Sequence, residues 1–338
     1  MTAASIPTAL TSSTTPTTPT PLRRAVPDLS IVIPVYNEEQ VLPQLFERLY
    51  PALDALGRSY EIVFVNDGSR DRSVALLREA FDRRPDVTRV VLFAANFGQH
   101  RAILAGFASS RGRYVITLDA DLQNPPEEIP RVLAELDAGH DYVGTIRMQR
   151  KDVAWRRYAS RFINEIRERT TRVRITDHGS MFRGYARSVV EAVNQCSEYN
   201  TFVPALAFTF AMTPVEIQVA HEERGAGKSK YSLFQLLRLN FDLMTGFSTA
   251  PMQMFSLVGI GIAILSVLFV VFLAVRRIIL GPEAEGVFTL FAIALFLIGV
   301  ALFGVGLLGE YVSRIYDEVR HRPRYIVGAV LERPEDEA

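Results

Sequence analysis

From Asp28 onward, apolar residues fall in short continuous runs separated by polar breaks. The first run, Leu29–Val35 (LSIVIPV), has the uninterrupted, β-branched character of a strand buried on both faces. Tyr36-Asn37-Glu38-Glu39 breaks it, and residues 38–56 then carry Val41, Leu42, Leu45, Leu49 and Leu53 at helical spacing. The pattern repeats. Residues 60–65 predict a second strand and 69–81 a helix, 88–93 a third strand and 99–110 a helix, and 114–118 a fourth strand. Strands alternating with helices predict an α/β fold with a parallel, doubly wound sheet. Residues 141–146 predict a fifth strand running into Arg147, residues 181–186 a short strand and 188–196 a helix, while 201–210 are apolar and expected to be buried.

The C-terminal third reads differently. Residues 231–247 are mostly apolar, with Gln235, Arg238, Asp242 and Thr245 forming a narrow polar stripe, the pattern of an interfacial helix. Two uncharged runs follow, about 252–275 and 288–309, each long enough to cross about 30 Å of hydrocarbon. The short connection Gly281-Pro282-Glu283-Ala284-Glu285-Gly286 makes them an antiparallel hairpin. Arg314, Arg320, Arg322 and Arg324 follow the second run and place that side in the cytoplasm; Arg276 and Arg277 at the far end count against this. The expected organisation is a disordered tail (1–27), an α/β domain (28–230), an interfacial helix (231–250), a transmembrane hairpin (251–310) and a cytoplasmic tail (311–338).

Composition narrows the chemistry. Residues 1–27 are rich in Thr, Pro, Ser and Ala and lack the basic start and apolar core of a signal peptide. The net charge of +0 provides no field for nucleic acid. The single cysteine, Cys196, excludes an internal disulfide and a cysteine-based zinc cluster. A mean hydropathy of +0.13 fits membrane spans. Neither the Gly-rich dinucleotide fingerprint nor the phosphate-loop motif occurs, so a dehydrogenase or P-loop NTPase is not expected. The five histidines show no metal-ligand spacing.

In doubly wound sheets ligands sit beyond the carboxyl ends of the strands. Asn37-Glu38, Asp67-Gly68, Asn96-Phe97-Gly98 and Asp119-Ala120-Asp121 all lie at such ends. Acidic groups there suit a uridine, with Asp67 on its base or ribose, and a metal-bound diphosphate. If the strand stays extended, Asp119, Asp121 and Gln123 project to one side, a hard-oxygen set for Mg²⁺ or Mn²⁺. Residues 150–174 carry Trp155, Tyr158, Phe162 and Ile166 at helical spacing among many arginines, either a core stripe with a basic face or a helix on anionic lipid. The Gly-containing, basic stretch 221–231 suits a lid over phosphates or a plain linker.

Four motifs in this order carry a resemblance: Val32-Ile33-Pro34-Val35-Tyr36-Asn37-Glu38, Val65-Asn66-Asp67-Gly68-Ser69, Leu118-Asp119-Ala120-Asp121-Leu122-Gln123, and Arg224 with Gly227, Ser229, Lys230 and Tyr231. Together they resemble the polyprenyl-phosphate glycosyltransferases, membrane-anchored enzymes of glycosyltransferase family 2 with a Rossmann-like, mostly parallel GT-A sheet. Gly309-Glu310-Tyr311, Arg314-Ile315-Tyr316 and Arg322-Pro323-Arg324-Tyr325 fit the same family. Phe97-Gly98-Gln99-His100, Asp177-His178-Gly179-Ser180-Met181 and Thr201-Phe202-Val203-Pro204 are similar to the branch that moves 4-deoxy-4-formamido-L-arabinose from UDP to undecaprenyl phosphate, for lipid A modification and polymyxin resistance. Ser180 stands where that branch is expected to have Cys.

The resemblance implies Asp119, Asp121 and Gln123 as metal ligands, and Pro34, Tyr36, Glu38, Asp67 and Asp119 as the donor site. It implies Asp121 and Asp177 as catalytic, and Arg147, Arg224, Ser229 and Lys230 as meeting donor or acceptor phosphates. It further implies Mg²⁺ or Mn²⁺, an inner-membrane location with the catalytic domain in the cytoplasm, and a homo-oligomer, with a tetramer favoured. Ser180 or backbone groups near Asp177 are candidates to pair with a formamido group. The alternatives are a glucosyl- or mannosyltransferase on the same carrier, a processive polysaccharide synthase, for which the Q-x-x-R-W motif is absent, and a non-catalytic nucleotide-sugar-binding scaffold.

Overall fold

Strand β1 (Leu29–Val35) sits in the middle of the sheet, which is why its sequence is apolar throughout. Its alternate residues serve two cores. Ile31 and Ile33 face one layer of helices and Val32 the other. The computed structural model describes residues 26–147, 175–177, 179–196, 198, 202–222, 250–280, 287–320 and 322–333. Among them, β1 pairs in parallel with β2 (Tyr60–Asn66) and β4 (Tyr114–Thr117), and β2 with β3 (Thr88–Phe93). Helices α1 (Leu42–Asp54), α2 (Ser73–Arg83) and α3 (Gln99–Ser109) make the crossovers. The parallel αβ core expected from the alternation is present.

Helix α1 shows how the pattern makes the packing. Leu42, Leu45, Leu49 and Leu53 fall on one stripe and are all fully buried against Ile31 and Ile33. Each such leucine contributes about 1.5–3 kcal/mol of burial. The helix begins at Leu42 rather than Glu38, because Asn37 is left-handed (φ 54°) and the amides of Asn37, Glu38 and Glu39 donate to the β2–α2 loop.

Beyond β4 the sheet is mixed. A 3₁₀ turn (Pro126–Glu128) leads into α4 (Ile129–Asp137), then β5 (Tyr142–Arg147), β6 (Arg183–Ala186), α5 (Arg187–Gln195), α6 (Val203–Phe210) and β7 (Pro214–Val219). Strand β6 lies antiparallel between β4 and β5, while β7 pairs in parallel with β5. Helices α1, α2 and α4 line one core; α3, α5 and α6 line the other.

Two long helices follow, α7 (Ala250–Leu280) and α8 (Val287–Val319). Met252–Leu273 and Ile293–Val319 are long and apolar enough to cross a membrane, and only 0% and 6% of their apolar windows are buried, so they are not core helices of a soluble domain. They touch through Phe255 and Phe303, whose ring centroids lie 5.8 Å apart. The basic stretch 150–174, the lid residues Arg224, Ser229 and Lys230, the interfacial helix 231–247 and the connection 281–286 lie outside the described residues.

The segment expected as a cytoplasmic tail joins the sheet of the α/β domain. Helix α8 runs on to Val319, and β8 (Val327–Leu331) then pairs antiparallel with β3, completing the order β7-β5-β6-β4-β1-β2-β3-β8. Glu332 anchors it: its Oε2 lies 3.0 Å from Nε of the buried Arg89 and 3.4 Å from Nη2 of Arg111.

Candidate functional site

The carboxyl ends of β1, β2, β3 and β4 and the start of β6 bring the acidic motifs to one edge of the sheet. Pro34 is part-buried at the end of β1, Tyr36 is 45% exposed just beyond it, and Glu38 is part-buried at the approach to α1. This loop is laced to the next one. Asn37 N–H donates to Ser69 Oγ (3.0 Å), Glu38 N–H to Ser73 Oγ (2.9 Å) and Arg70 N–H back to Asn37 Oδ1 (2.9 Å). The surface beside Pro34 and Tyr36 is therefore built by both loops.

Asp67 is only 3% exposed, and its carboxylate organises the β3–α3 loop. Phe97 N–H donates to Oδ1 (2.6 Å), and Gly98 N–H (2.8 Å) and the Asn96 side-chain amide (3.0 Å) donate to Oδ2. Burial raises the Asp67 carboxyl, and the two backbone donors oppose that. Gly68 makes the approach possible. At φ +67° it sits in the left-handed region, and a Cβ there would lie 2.4 Å from the Ala95 carbonyl carbon.

The β4 end differs from the extended arrangement expected of it. The strand stops at Thr117, and Leu122 is left-handed at φ 58°, so Asp119, Asp121 and Gln123 do not project as alternate residues of one strand. Gln123 meets the acids through its backbone: its N–H donates to Asp121 Oδ1 (3.1 Å) and its carbonyl accepts from Glu222 N–H (2.9 Å). Asp119 Oδ1 accepts from the Gln99 side-chain amide at 2.6 Å. Burial first and the adjacent Asp121 charge second push the Asp119 carboxyl up to about 7, against the Met181 backbone, Gln99 and the Arg147 charge.

The test for a cation here is the chemistry of the donor set, two carboxylates at the end of β4 whose charges act on each other. No cluster of three or more His, Cys, Asp or Glu that could hold a metal occurs among the described residues. Mg²⁺ and Mn²⁺ sites of this kind need only one or two carboxylates plus substrate phosphate and water, so Asp119 and Asp121 fit such an ion.

Asp177 and Arg147 form the second half of the site. Arg147 Nε donates to Asp177 Oδ2 (2.7 Å) and Nη2 to Oδ1 (2.8 Å), a two-pronged pair in which Asp177 is 5% exposed. Gly179 N–H also donates to Oδ1 (2.9 Å), and a Cβ on Gly179 would come within 2.4 Å of Arg147 Nη2. Below the pair, fully buried Arg183 holds the turn: it donates to the carbonyls of Asp177 and Ser180 and to the Tyr142 hydroxyl. Arg147 also feels the charges of Asp119 and Asp121, which makes the acids and the ion pair one electrostatic unit.

Ser180 is not presented to a ligand. It is 1% exposed, and its hydroxyl shares a 2.9 Å hydrogen bond with Thr145 Oγ1. The side chains of Gln99 and Asn96 and the Phe97 and Gly98 backbone N–H groups, by contrast, reach Asp119 and Asp67 without being among the metal, donor, phosphate or catalytic residues that the resemblance implies. Their signal was the Phe97-Gly98-Gln99-His100 motif itself.

Comparison with known proteins agrees with this architecture. The model of the family described as Glycosyl transferase family 2 matches residues 30–193, from β1 into α5. A Pseudomonas aeruginosa protein named undecaprenyl-phosphate 4-deoxy-4-formamido-L-arabinose transferase is 52% identical over 305 residues, covering 90% of this chain and 90% of its own. Proteins of the same name from Edwardsiella ictaluri and Klebsiella pneumoniae are 49% and 48% identical, covering 90% and 92% of this chain and 94% and 95% of theirs. With the family match spanning the sheet that carries the acidic strand ends, and identity near one half across nearly the whole length, the chain belongs to glycosyltransferase family 2 and is a glycosyltransferase.

Proposed function

We propose that this enzyme transfers 4-deoxy-4-formamido-L-arabinose, with inversion, from a UDP donor to undecaprenyl phosphate at the cytoplasmic face of the bacterial inner membrane, supplying lipid A modification and polymyxin resistance. The observation that carries the reading is the near-50% identity, over about nine-tenths of both chains, to proteins bearing that transferase name. The two exposed apolar helices support it, because a polyprenyl carrier presents its phosphate at a membrane surface.

Asp119 and Asp121 would hold Mg²⁺ or Mn²⁺, which when bound supplies countercharge to the diphosphate leaving group. Pro34, Tyr36, Glu38 and the loop fixed by Asp67 would receive the nucleoside. Arg147, kept in one orientation by Asp177, would face a phosphate, with Arg224, Ser229 and Lys230 completing the anion site. The acceptor phosphate, with a second pKa of about 6 by analogy with phosphoamino acids, is largely ionised at neutral pH and needs little proton abstraction. The role that suits Asp177 is therefore to orient Arg147.

The test is turnover by the full chain in detergent with undecaprenyl phosphate and three donors, the product identified by mass spectrometry. The donors are UDP-4-deoxy-4-formamido-L-arabinose, its non-formylated amine and UDP-glucose. The formamido pentose should give the highest kcat/KM, since a site built for its donor and acceptor rejects analogues lacking them by up to ~10⁴–10⁵. A higher kcat/KM with UDP-glucose overturns the sugar assignment.

A further inference from the structure

We propose that Tyr325 is a positioning residue for the donor site, coupling the exit of the second apolar helix to the loop that holds Asp67 and Asp119. The inference rests on the nucleotide-donor reading above.

The chain of contacts is continuous. Tyr325 lies six residues beyond the end of α8, in the Arg322-Pro323-Arg324-Tyr325 motif. Its ring stacks on Phe93 at 4.9 Å between centroids and 13° between planes. Phe93, the last residue of β3 and 5% exposed, meets Phe97 edge-on at 5.7 Å and 86°. Phe97 N–H is the 2.6 Å donor to Asp67 Oδ1, and Gly98 N–H the 2.8 Å donor to Oδ2. The next residue, Gln99, donates to Asp119 at 2.6 Å. Three rings thus connect the membrane exit to the backbone N–H groups that fix Asp67 and to the residue before Gln99, whose side chain holds Asp119.

The backbone beside the stack is tied down independently. Ala94 N–H donates to Ile326 carbonyl at 3.0 Å, Arg324 donates to the Cys196 carbonyl, and β8 pairs with β3. Nothing in those ties needs an aromatic ring at 325. The β3 end carries an irregularity between Leu92 and Phe93, so the ladder does not by itself set where the following loop goes. The flat Tyr325 ring does: an offset stack constrains Phe93, and through it Phe97, in a way an aliphatic side chain cannot.

The experiment uses the full chain in detergent with Tyr325→Phe and Tyr325→Leu. Phe keeps the stack, and Leu keeps apolar bulk without it. Two readouts are taken at temperatures where all three proteins are folded: the dissociation constant for UDP with Mg²⁺, and hydrogen exchange of a peptide covering 94–99 against one covering 29–35. Tyr325→Leu should bind UDP about 5-fold more weakly and exchange the 94–99 amides about 5-fold faster, the scale of one lost aromatic pair. The 29–35 amides should be unchanged, and Tyr325→Phe should match wild type. A Tyr325→Leu protein that melts earlier yet retains wild-type UDP affinity and exchange has lost only stability, which overturns the inference. If wild type itself fails to bind UDP, the donor reading falls. The exchange readout then still decides whether Tyr325 holds the loop.

Discussion

Replacing Asp177 with Asn separates two roles for this carboxylate. In the structure both its oxygens are taken by Arg147, at 2.7 and 2.8 Å, and Oδ1 accepts a third bond from Gly179 N–H. Asn removes the charge and offers a single acceptor oxygen to a guanidinium that now has two. Breaking one side of a buried ion pair costs 3–5 kcal/mol in general, roughly. Here the Arg147 side chain is 20% exposed and retains Asp119 and Asp121 as neighbouring charges, which brings the expected loss of stability to about 2 kcal/mol. The effect on rate is larger. A guanidinium freed to move by on the order of 1 Å costs about 10²-fold in turnover.

The assay is turnover of Asp177→Asn and wild type from pH 6 to 8, with Arg147→Lys alongside. If Asp177 orients Arg147, the ratio of wild-type to variant rate stays flat, because acceptor ionisation near pH 6 affects both proteins equally. Arg147→Lys should then show a comparable deficit, since an ammonium cannot reproduce the two-pronged pair. A ratio that shrinks by tenfold or more as the pH rises would assign Asp177 the role of general base and refute this reasoning. So would a fully active Arg147→Lys beside an inactive Asp177→Asn.

Three further outcomes are expected. Asp121→Asn should leave folding intact and lower turnover by orders of magnitude; near wild-type activity for that variant in metal-depleted buffer would rule out the cation role. Arg224→Ala should weaken use of donor or acceptor while the protein stays in the membrane fraction, and unchanged kinetics for both substrates would remove it from the phosphate site. His100 is pulled down to about 4 by burial, and its Nδ1 is buried without a hydrogen-bond partner. The unfolded chain takes up this proton near pH 6.5 and the folded chain only near 4, so stability should fall as pH drops through that window, by on the order of 3 kcal/mol. His100→Asn should flatten that part of the melting-temperature profile, and an unchanged slope would show that other groups govern it.

The central sheet was legible because β1 to β4 are buried on both faces and their apolar runs are local signals. Helix α4 has no counterpart among the predicted elements: proline, here at 126 and 130, generally signals a break, yet it is tolerated in the first turn of a helix, and Ile129, Val132, Leu133 and Leu136 form its buried stripe. Strand β7 starts with Pro214 at the sheet edge and keeps only Val219 buried, so its pattern is weak. Strand β8 is exposed along most of its length and pairs with a strand more than 200 positions away, which no local periodicity encodes. At the site, residue types were readable and directions were not. The acids were found, but the left-handed Leu122 defeats an argument from strand alternation. Asp67, expected on the uridine base or ribose, bonds Asn96, Phe97 and Gly98 through its oxygens, and which partner each oxygen takes is not written in the residue types.

Strand β8 also dictates an order of events during synthesis. Its partner β3 leaves the ribosome long before residue 327 exists, and at roughly 5–20 residues per second the wait is on the order of tens of seconds. Throughout that interval the outer edge of the catalytic sheet is open, and both apolar helices emerge before it closes. The sheet is therefore finished by a piece of chain that arrives after the anchor, so a nascent catalytic domain released early, short of its last strand, retains a pairing-competent edge. Quality control that recognises open β edges would then discriminate nascent chains by whether the anchor has been made.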